Sequence, residues 1–182
     1  MNFEREIQLK DGRPCLLHGA GAADAEAFLE VFRRCHEETD FLLTYPEENA
    51  HTVEQEREFL ETKERSPNEI EIMAFVGGQA VGTAGIQCVA EKEKVRHRAE
   101  FGISVLKDFW GLGIGRALTE SCIACAKEAG YTQLELEVVA DNQAALGLYE
   151  SLGFTEYGRN PRGFRSRHTG WQELVLMRLE LK

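Results

Sequence analysis

A glycine-rich stretch, FWGLGIGRAL from Phe109 to Leu118, constrains this chain more than any other part of its sequence. It places three glycines within five positions, where a strand pattern ends and helical spacing begins. A glycine inside a helix costs about 1 kcal/mol relative to alanine, so helix formation alone does not explain them. A helix N-terminus has free backbone N–H groups, and glycine lets a phosphate approach them closely. The stretch therefore indicates a strand-to-helix turn that can hold an anion.

Two known phosphate-binding motifs do not fit this turn. A P-loop needs Lys followed by Ser or Thr after its last glycine, whereas Arg116 and Ala117 follow here. The dinucleotide motif Gly-x-Gly-x-x-Gly also fails, because its third glycine falls on Arg116 or Leu118. This argues against a nucleotide-dependent oxidoreductase. The remaining pattern is Gly-x-Gly-x-Gly followed by Arg116, and a plain turn is its alternative interpretation.

Residue patterns along the chain predict one α/β domain over residues 1–182. The early strands are separated by tight turns, such as Gly77-Gly78, and form a meander interrupted by two helices near 24–36 and 52–66. After residue 113, strands alternate with helices, and the chain ends on an alternating strand. No repeat or linker divides the sequence.

Composition excludes several classes of protein. The net charge of −10 argues against a nucleic-acid partner. No run of 18 apolar residues predicts a membrane span, and the N-terminus lacks the apolar region of a secretory signal. Five scattered cysteines suit reduced thiols and a cytoplasmic location. The Cys122-x-x-Cys125 pair lies on an apolar helix face and the histidines lack ligand spacing, so no metal is expected.

A second block, Asn142 to Phe154, follows the glycine turn at a characteristic distance. It runs from Asn142 through Leu148-Tyr149 to Gly153-Phe154. With the turn, this block resembles the signature of the GNAT superfamily of acetyl-CoA-dependent N-acetyltransferases, over roughly residues 100–154. The resemblance implies a mixed, largely antiparallel central sheet of about seven strands flanked by about four helices. One departure is Trp110, which stands where the family usually has Gln or Arg.

The resemblance also implies roles for individual residues. The backbone amides of the turn would hold the CoA pyrophosphate, namely those of Gly111, Leu112, Gly113, Ile114, Gly115 and Arg116. The strand edge formed by Ile103, Ser104 and Val105 would bind the pantetheine arm, and the Val105 amide would face the thioester oxygen. Asn142 would contact the CoA arm. Tyr149 would protonate the departing thiolate, although its helical spacing with Leu148 and Leu152 also suits a core aromatic.

The sequence does not identify a single residue as the general base. The resemblance implies Glu137, on the strand before Asn142, or Glu100, at the start of the strand that leads to the glycines. Glu135 and Glu137 alternate with apolar residues, so a solvated strand face is an equal alternative. A water-mediated proton route would need no single residue.

The acceptor is expected to be a small-molecule or peptide amine, with a homodimer left open. Residues 22–71 hold 15 acids and 5 bases, which suggests a cationic acceptor. The resemblance places the connector between the first two helices beside the acceptor; its acids are Glu37, Glu38, Asp40, Glu47 and Glu48. The acids of the second helix, Glu54, Glu56, Glu58, Glu61 and Glu64, are instead compatible with a solvated face. A late basic loop (Arg159, Arg162, Arg165 and Arg167) is either solvated or lines a groove. A non-catalytic acetyl-CoA sensor is the rival function.

Overall fold

A computed structural model describes residues 1–48 and 51–182, and in these ranges it contains eight strands and four α-helices. In chain order these are β1 (Glu4–Gln8), β2 (Pro14–Gly19), α1 (Ala25–Glu38), α2 (Val53–Arg65), β3 (Ile70–Val76), β4 (Gln79–Cys88), β5 (Arg98–Val105), α3 (Ile114–Glu128), β6 (Gln133–Val139), α4 (Gln143–Ser151), β7 (Thr155–Ser166) and β8 (Gly170–Glu180). The predicted mixed α/β architecture with about four helices is confirmed.

All eight strands form one sheet in the order β1-β2-β3-β4-β5-β6-β8-β7. Every neighbouring pair is antiparallel except β5 and β6, which are parallel. The predicted largely antiparallel sheet is therefore confirmed, with eight strands where about seven were expected. The first hairpin contributes two full strands, since β1 pairs with β2 at five positions.

Helices cover both faces of the sheet. The first two helices pack together, and α1 lies against β4 and β5 with Cys35 beside Ser104. On the opposite face, α3 packs on β3–β5, and α4 places Tyr149 against Phe101. Cys122 and Cys125 are buried in α3, as their apolar spacing predicted. Each site described below lies between a helical layer and the middle of this sheet.

The late basic segment is a strand rather than the predicted loop. Residues Thr155–Ser166 form β7, the edge strand paired with β8 and irregular at Glu156/Gly158 and Asn160/Phe164. Arg159 is engaged by Glu156 and Glu173, and Arg167 by Glu47. An edge strand with bulges has the turn-like composition of a loop, which explains the error.

No helix within the described ranges is both long and apolar enough to cross a membrane. Likewise, residues 1–48 and 51–182 hold no group of three His, Cys, Asp or Glu side chains able to bind a metal ion.

Candidate active site

The glycine turn lies at the start of α3 and borders a cavity of about 960 Å³. Gly111 and Gly113 adopt positive φ angles of 75° and 102°, and Gly113 is the N-cap residue of α3. A side chain is rarely tolerated in this left-handed region, which accounts for glycine at both positions. A Cβ atom at either position would meet no atom within 4 Å. The turn thus presents bare backbone, at the positive end of a helix, to open space.

A gap between β5 and β6 forms the second part of this cavity. The two strands pair only where Arg98–Glu100 meets Gln133–Glu135, and beyond that point they separate. Two hydrogen bonds, from Arg98 Nε and Nη2 to the two carboxylate oxygens of Glu135, join the strands at 2.5 and 2.7 Å where the gap begins. The remainder of β5 therefore has a free edge toward β6.

The pairing of β5 with β4 determines which backbone N–H and C=O groups of β5 point toward the gap. Leu106 N–H donates to the Val81 carbonyl at 2.9 Å, and antiparallel hydrogen-bonded pairs alternate along a strand. The backbone N–H and C=O groups of Ile103 and Val105 consequently point into the gap, whereas those of Ser104 point toward β4. The indole Nε1 of Trp110 donates to the Val105 carbonyl at 2.6 Å, whereas the Val105 N–H, which points into the gap, has no partner among the described residues. Trp110, the departure from the family pattern, thus ties the glycine turn to the strand.

Asn142, of the second sequence block, and Arg116, of the turn, both form hydrogen bonds within the protein. Asn142 is the N-cap of α4, and its Oδ1 accepts from the Ala145 N–H at 3.2 Å. The Arg116 guanidinium donates to the Ser151 hydroxyl at 2.6 Å and lies 3.8 Å from Glu120. Both residues line the cavity. Arg116 can therefore offer its backbone amide while its side chain ties α3 to α4.

Tyr149 is both a core aromatic and a cavity residue. It is 6% exposed and packs edge-on against Phe101, with Phe154 on another side. Burial raises its pKa well above the ordinary value, so the phenol stays protonated near neutral pH. Among the described residues its hydroxyl has no hydrogen-bond partner, and Tyr149 lines the cavity. Tyr157, which sequence reasoning did not single out, lines the same cavity and is 47% exposed.

The two predicted base candidates reach the same cavity from neighbouring strands. Glu100 of β5 is exposed and accepts a hydrogen bond from Gln87 Nε2 at 3.2 Å. Glu137 of β6 is exposed and has no side-chain hydrogen bond within the part of the chain described. Glu135 differs from both, because Arg98 occupies its carboxylate. The structure brings Glu100 and Glu137 together with the turn without favouring either.

A second cavity of about 520 Å³ adjoins the first. It contains two acids that sequence reasoning missed as site residues, Glu56 of α2 and Glu71 of β3. The pKa of Glu71 is raised to about 7, chiefly by burial; Lys63 lowers it in part, and Glu56 and Glu69 contribute to the rise. A single acid within the apolar strand IEIMAFV is the signal that could have identified Glu71.

The raised pKa of Glu71 predicts how stability depends on pH. Since its folded value of about 7 exceeds the ordinary 4.5, the carboxylate destabilises the fold as pH rises through this interval. We expect Glu71→Gln to increase the free energy of unfolding at pH 8 by about 2 kcal/mol, allowing for its partial exposure, and to give no increase at pH 4. Urea unfolding at both pH values measures this. Glu58→Gln, an exposed change on α2, is the control, and equal shifts in both variants would contradict the prediction.

The connector acids are largely engaged within the protein. Arg33 binds Glu37, the Lys107 N–H binds Glu38, three side chains bind Asp40, Arg167 binds Glu47, and the Tyr45 N–H binds Glu48. Glu56 departs from the solvated face expected for the α2 acids, because it is 3% exposed. Of the acids in residues 22–71, Glu56 and Glu71 are those that line one of the two cavities.

A protein-family model described as the acetyltransferase (GNAT) family matches residues 26–154 of this sequence. The chain belongs to the GNAT family of acetyltransferases. The family predicted from the glycine turn and the Asn142–Phe154 block is confirmed.

Solved GNAT structures share the fold. A GNAT-family acetyltransferase from Streptococcus pneumoniae superposes with a TM-score of 0.87 at 30% identity, over 91% of this chain and 99% of that one. Ribosomal-protein-alanine N-acetyltransferase from Brucella melitensis does so with a TM-score of 0.79 at 28% identity, over 91% and 99%. The yncA protein of Salmonella typhimurium, a putative acetyltransferase solved with its cofactor acetyl-CoA, shares the fold at 21% identity, with a TM-score of 0.81 over 92% and 94%.

Curated relatives match a shorter part of the GNAT domain. The [ribosomal protein bS18]-alanine N-acetyltransferase of Escherichia coli strain K12 is 40% identical over 81 residues, which is 44% of this chain and 54% of that protein. N-acetyltransferase 8 of Rattus norvegicus is 35% identical over 89 residues, 48% of this chain and 40% of that protein. The chain spans about half the length of the curated relatives it matches.

Proposed function

We propose that this GNAT protein is an N-acetyltransferase that transfers acetyl from acetyl-CoA to a primary amine by direct attack. One observation carries the proposal: the open glycine turn of α3 and the free edge of β5 line the same cavity. Bare amides at a helix N-terminus suit a pyrophosphate, and an unpaired strand edge suits an amide-containing arm. The N-acetyltransferase relatives support the same activity.

The residues of the cavity fit acetyl-CoA as the cosubstrate. The amides from Gly111 to Arg116 would hold the pyrophosphate, because the positive φ angles of the turn leave its backbone uncovered. The backbone groups of Ile103, and the lone pair of the Val105 carbonyl that Trp110 does not use, would bond the pantetheine amides as a further strand does. The backbone groups of Ser104, between them, face β4. Asn142 would use its Nδ2, since its Oδ1 caps α4.

Bound acetyl-CoA supplies an acetyl thioester, and the protein supplies charge stabilisation and protons. The free N–H of Val105 would donate to the carbonyl oxygen as that oxygen gains charge, a contribution of about 10²–10³ in rate. Tyr149, kept protonated by burial, would donate to the departing sulfur. Glu100, Glu137 or a water between them would take the proton of the incoming amine, which must be neutral to attack.

The acceptor would be a small cationic amine or a peptide amine, reached through the second cavity. We place this activity in the cytoplasm, where reduced cysteines such as the five free ones here persist. A homodimer is compatible with the activity but is not required by it, because the residues assigned above all come from one chain.

Release of free thiol from acetyl-CoA in the presence of amines tests the proposed function. Simple monoamines, diamines, aminoglycosides and peptides with free N-termini form the panel, and mass spectrometry confirms the acetylated product. We expect amine-dependent thiol release well above hydrolysis of acetyl-CoA alone. Tight CoA binding with no release for any amine would instead favour a non-catalytic sensor.

A further inference from the structure

The second cavity lies between the first two helices and the sheet, beside the proposed acetyl-CoA site. Its floor is formed by β3, β4 and β5, and it shares the β5 residues Glu100–Ser104 with the first cavity. Leu42 and Leu43 also border both cavities. A molecule in the second cavity therefore has direct access to the gap between β5 and β6.

A row of two glycines runs across the floor from Glu71 toward that gap. Glu71 pairs with Gly85, and Gly85 pairs with Gly102, so these three residues lie side by side on adjacent strands. A Cβ atom on Gly85 would overlap the Glu71 carboxylate, which shows that this carboxylate lies directly over the β4 backbone. A Cβ on Gly102 would meet nothing within 4 Å. The row forms an open groove with a carboxylate at one end and the β5 edge at the other.

The groove contains carboxylate oxygens that have no hydrogen-bond partner within the described residues. Glu56 binds His51 Nδ1 through Oε2 at 3.1 Å, yet its buried Oε1 has no hydrogen-bond partner within the described ranges. Glu71 likewise makes no side-chain hydrogen bond there. Lys63, the nearby cation, is held by Glu69 at 2.7 Å. An unpartnered buried carboxylate oxygen is costly, so this cavity is built to receive a donor.

The remaining walls also favour an ammonium ligand. Phe28, Phe32 and Phe59 line the cavity, and aromatic faces attract cations and alkyl chains alike. The Lys63 ammonium lies 5.5 Å from the Phe59 ring centroid, so Phe28 and Phe32 are the aromatic walls left for a ligand. His36 lines it as well, and burial lowers the pKa of this side chain, which favours its neutral form. The buried Glu56, the partly buried Glu71 and the aromatic walls thus favour an alkylammonium group over an anion.

The spacing of the strands sets the length of the ligand. Strands lie about 4.8 Å apart, so the carboxylate over β4 is roughly 10 Å from a thioester at the far edge of β5. Allowing about 3 Å for a salt bridge and about 3 Å for the approach of the attacking nitrogen leaves roughly 4 Å between the two nitrogens. An extended three-carbon diamine spans slightly more than this distance, and a four-carbon diamine spans it once one of its C–C bonds is gauche.

We propose that the cavity binds a second ammonium group of the acceptor through Glu71 and Glu56, so that short α,ω-diamines are the preferred acceptor class. This inference rests on the proposed acetyltransferase function and specifies its substrate. The distal ammonium group pairs with the two carboxylates, and the proximal amine extends over Gly85 and Gly102 to the β5 edge. A monoamine of the same length lacks the distal contact.

The test compares putrescine with n-butylamine, which has the same carbon chain and one charge fewer. We expect kcat/KM for putrescine to exceed that for n-butylamine by at least tenfold. Glu71→Gln should lower the putrescine value at least tenfold and change the n-butylamine value less than twofold. Gly85→Ala, which displaces the Glu71 carboxylate without removing its charge, should also lower the putrescine value at least tenfold. Glu58→Gln on α2 is the matched control and should alter neither value.

Three results would each overturn the diamine proposal while leaving the acetyltransferase function intact. The first is equal use of putrescine and n-butylamine by the unmodified protein. The second is an equal loss for both amines in Glu71→Gln. The third is an alanine-starting peptide that is used far better than putrescine and is insensitive to Glu71→Gln. If no amine releases thiol, the proposed function fails. In that case, calorimetric titration of putrescine into the CoA-bound protein tests separately whether the second cavity binds a diamine. An absence of binding heat would overturn the proposed diamine site.

Discussion

Replacing Gly113 with valine is expected to weaken CoA binding at least tenfold. Gly113 has a φ of 102° and initiates α3, and a Cβ at this position projects into the open cavity. A branched side chain would occupy the space where we place the pyrophosphate and would strain the backbone that presents the amides. Calorimetric titration of CoA into the folded variant measures the effect.

Gly130→Val is the control for backbone strain in this experiment. Gly130 follows the other end of the α3 segment, has a φ of 83°, and would also place a Cβ in open space. It lies outside both cavities. Circular dichroism and thermal unfolding establish that both variants fold. Unchanged CoA affinity in folded Gly113→Val, or the same loss in Gly130→Val, would remove the turn from the binding site.

Tyr149→Phe is expected to lower kcat by about 10²-fold while barely changing the affinity for CoA. The ring packs against Phe101 and Phe154, so phenylalanine preserves the core contacts and deletes only the hydroxyl. That hydroxyl is the proton donor that we assign to the leaving sulfur. Pre-steady-state thiol release, which reports the chemical step, is the appropriate measurement.

Tyr131→Phe is the matched control, because Tyr131 is also a buried tyrosine whose pKa is raised by burial, and it lies outside both cavities. It should leave kcat unchanged. Tyr157→Phe tests the other phenol in the first cavity. A wild-type chemical step in Tyr149→Phe with a large loss in Tyr157→Phe would transfer the acid role to Tyr157.

The cofactor half of the candidate site was largely predictable from sequence. A site made of backbone amides requires glycines at fixed positions, so Gly111 and Gly113 leave a signature that residue spacing reveals. The strand before the turn and the helix after it follow from hydrophobic periodicity. Periodicity does not show where β5 and β6 separate, because that depends on pairing between strands distant in sequence.

The acceptor half was not predictable in the same way. Glu56 is one of several acids along α2, and only its burial against the sheet distinguishes it from exposed neighbours such as Glu58. Glu71 can reach a ligand in the groove only because Gly85 and Gly102 lie beside it on the neighbouring strands. That alignment depends on strand register, which the sequence does not show. For the connector acids, the local charge is evident in the sequence, but their partners, such as Arg167 for Glu47, lie far along the chain and could not be predicted.

Strand β5 serves the two proposed substrates through different parts of its structure. The cosubstrate would form hydrogen bonds with the β5 main chain at Ile103 and Val105. The acceptor would lie over the face of β5 that carries Gly102. Main-chain recognition tolerates sequence drift, because any residue except proline supplies the same N–H. A substitution at Gly102 would therefore shorten or reshape the acceptor groove while leaving the acetyl donor site in place. A protein built this way can change its acceptor by single mutations without having to evolve a new way of binding its cosubstrate.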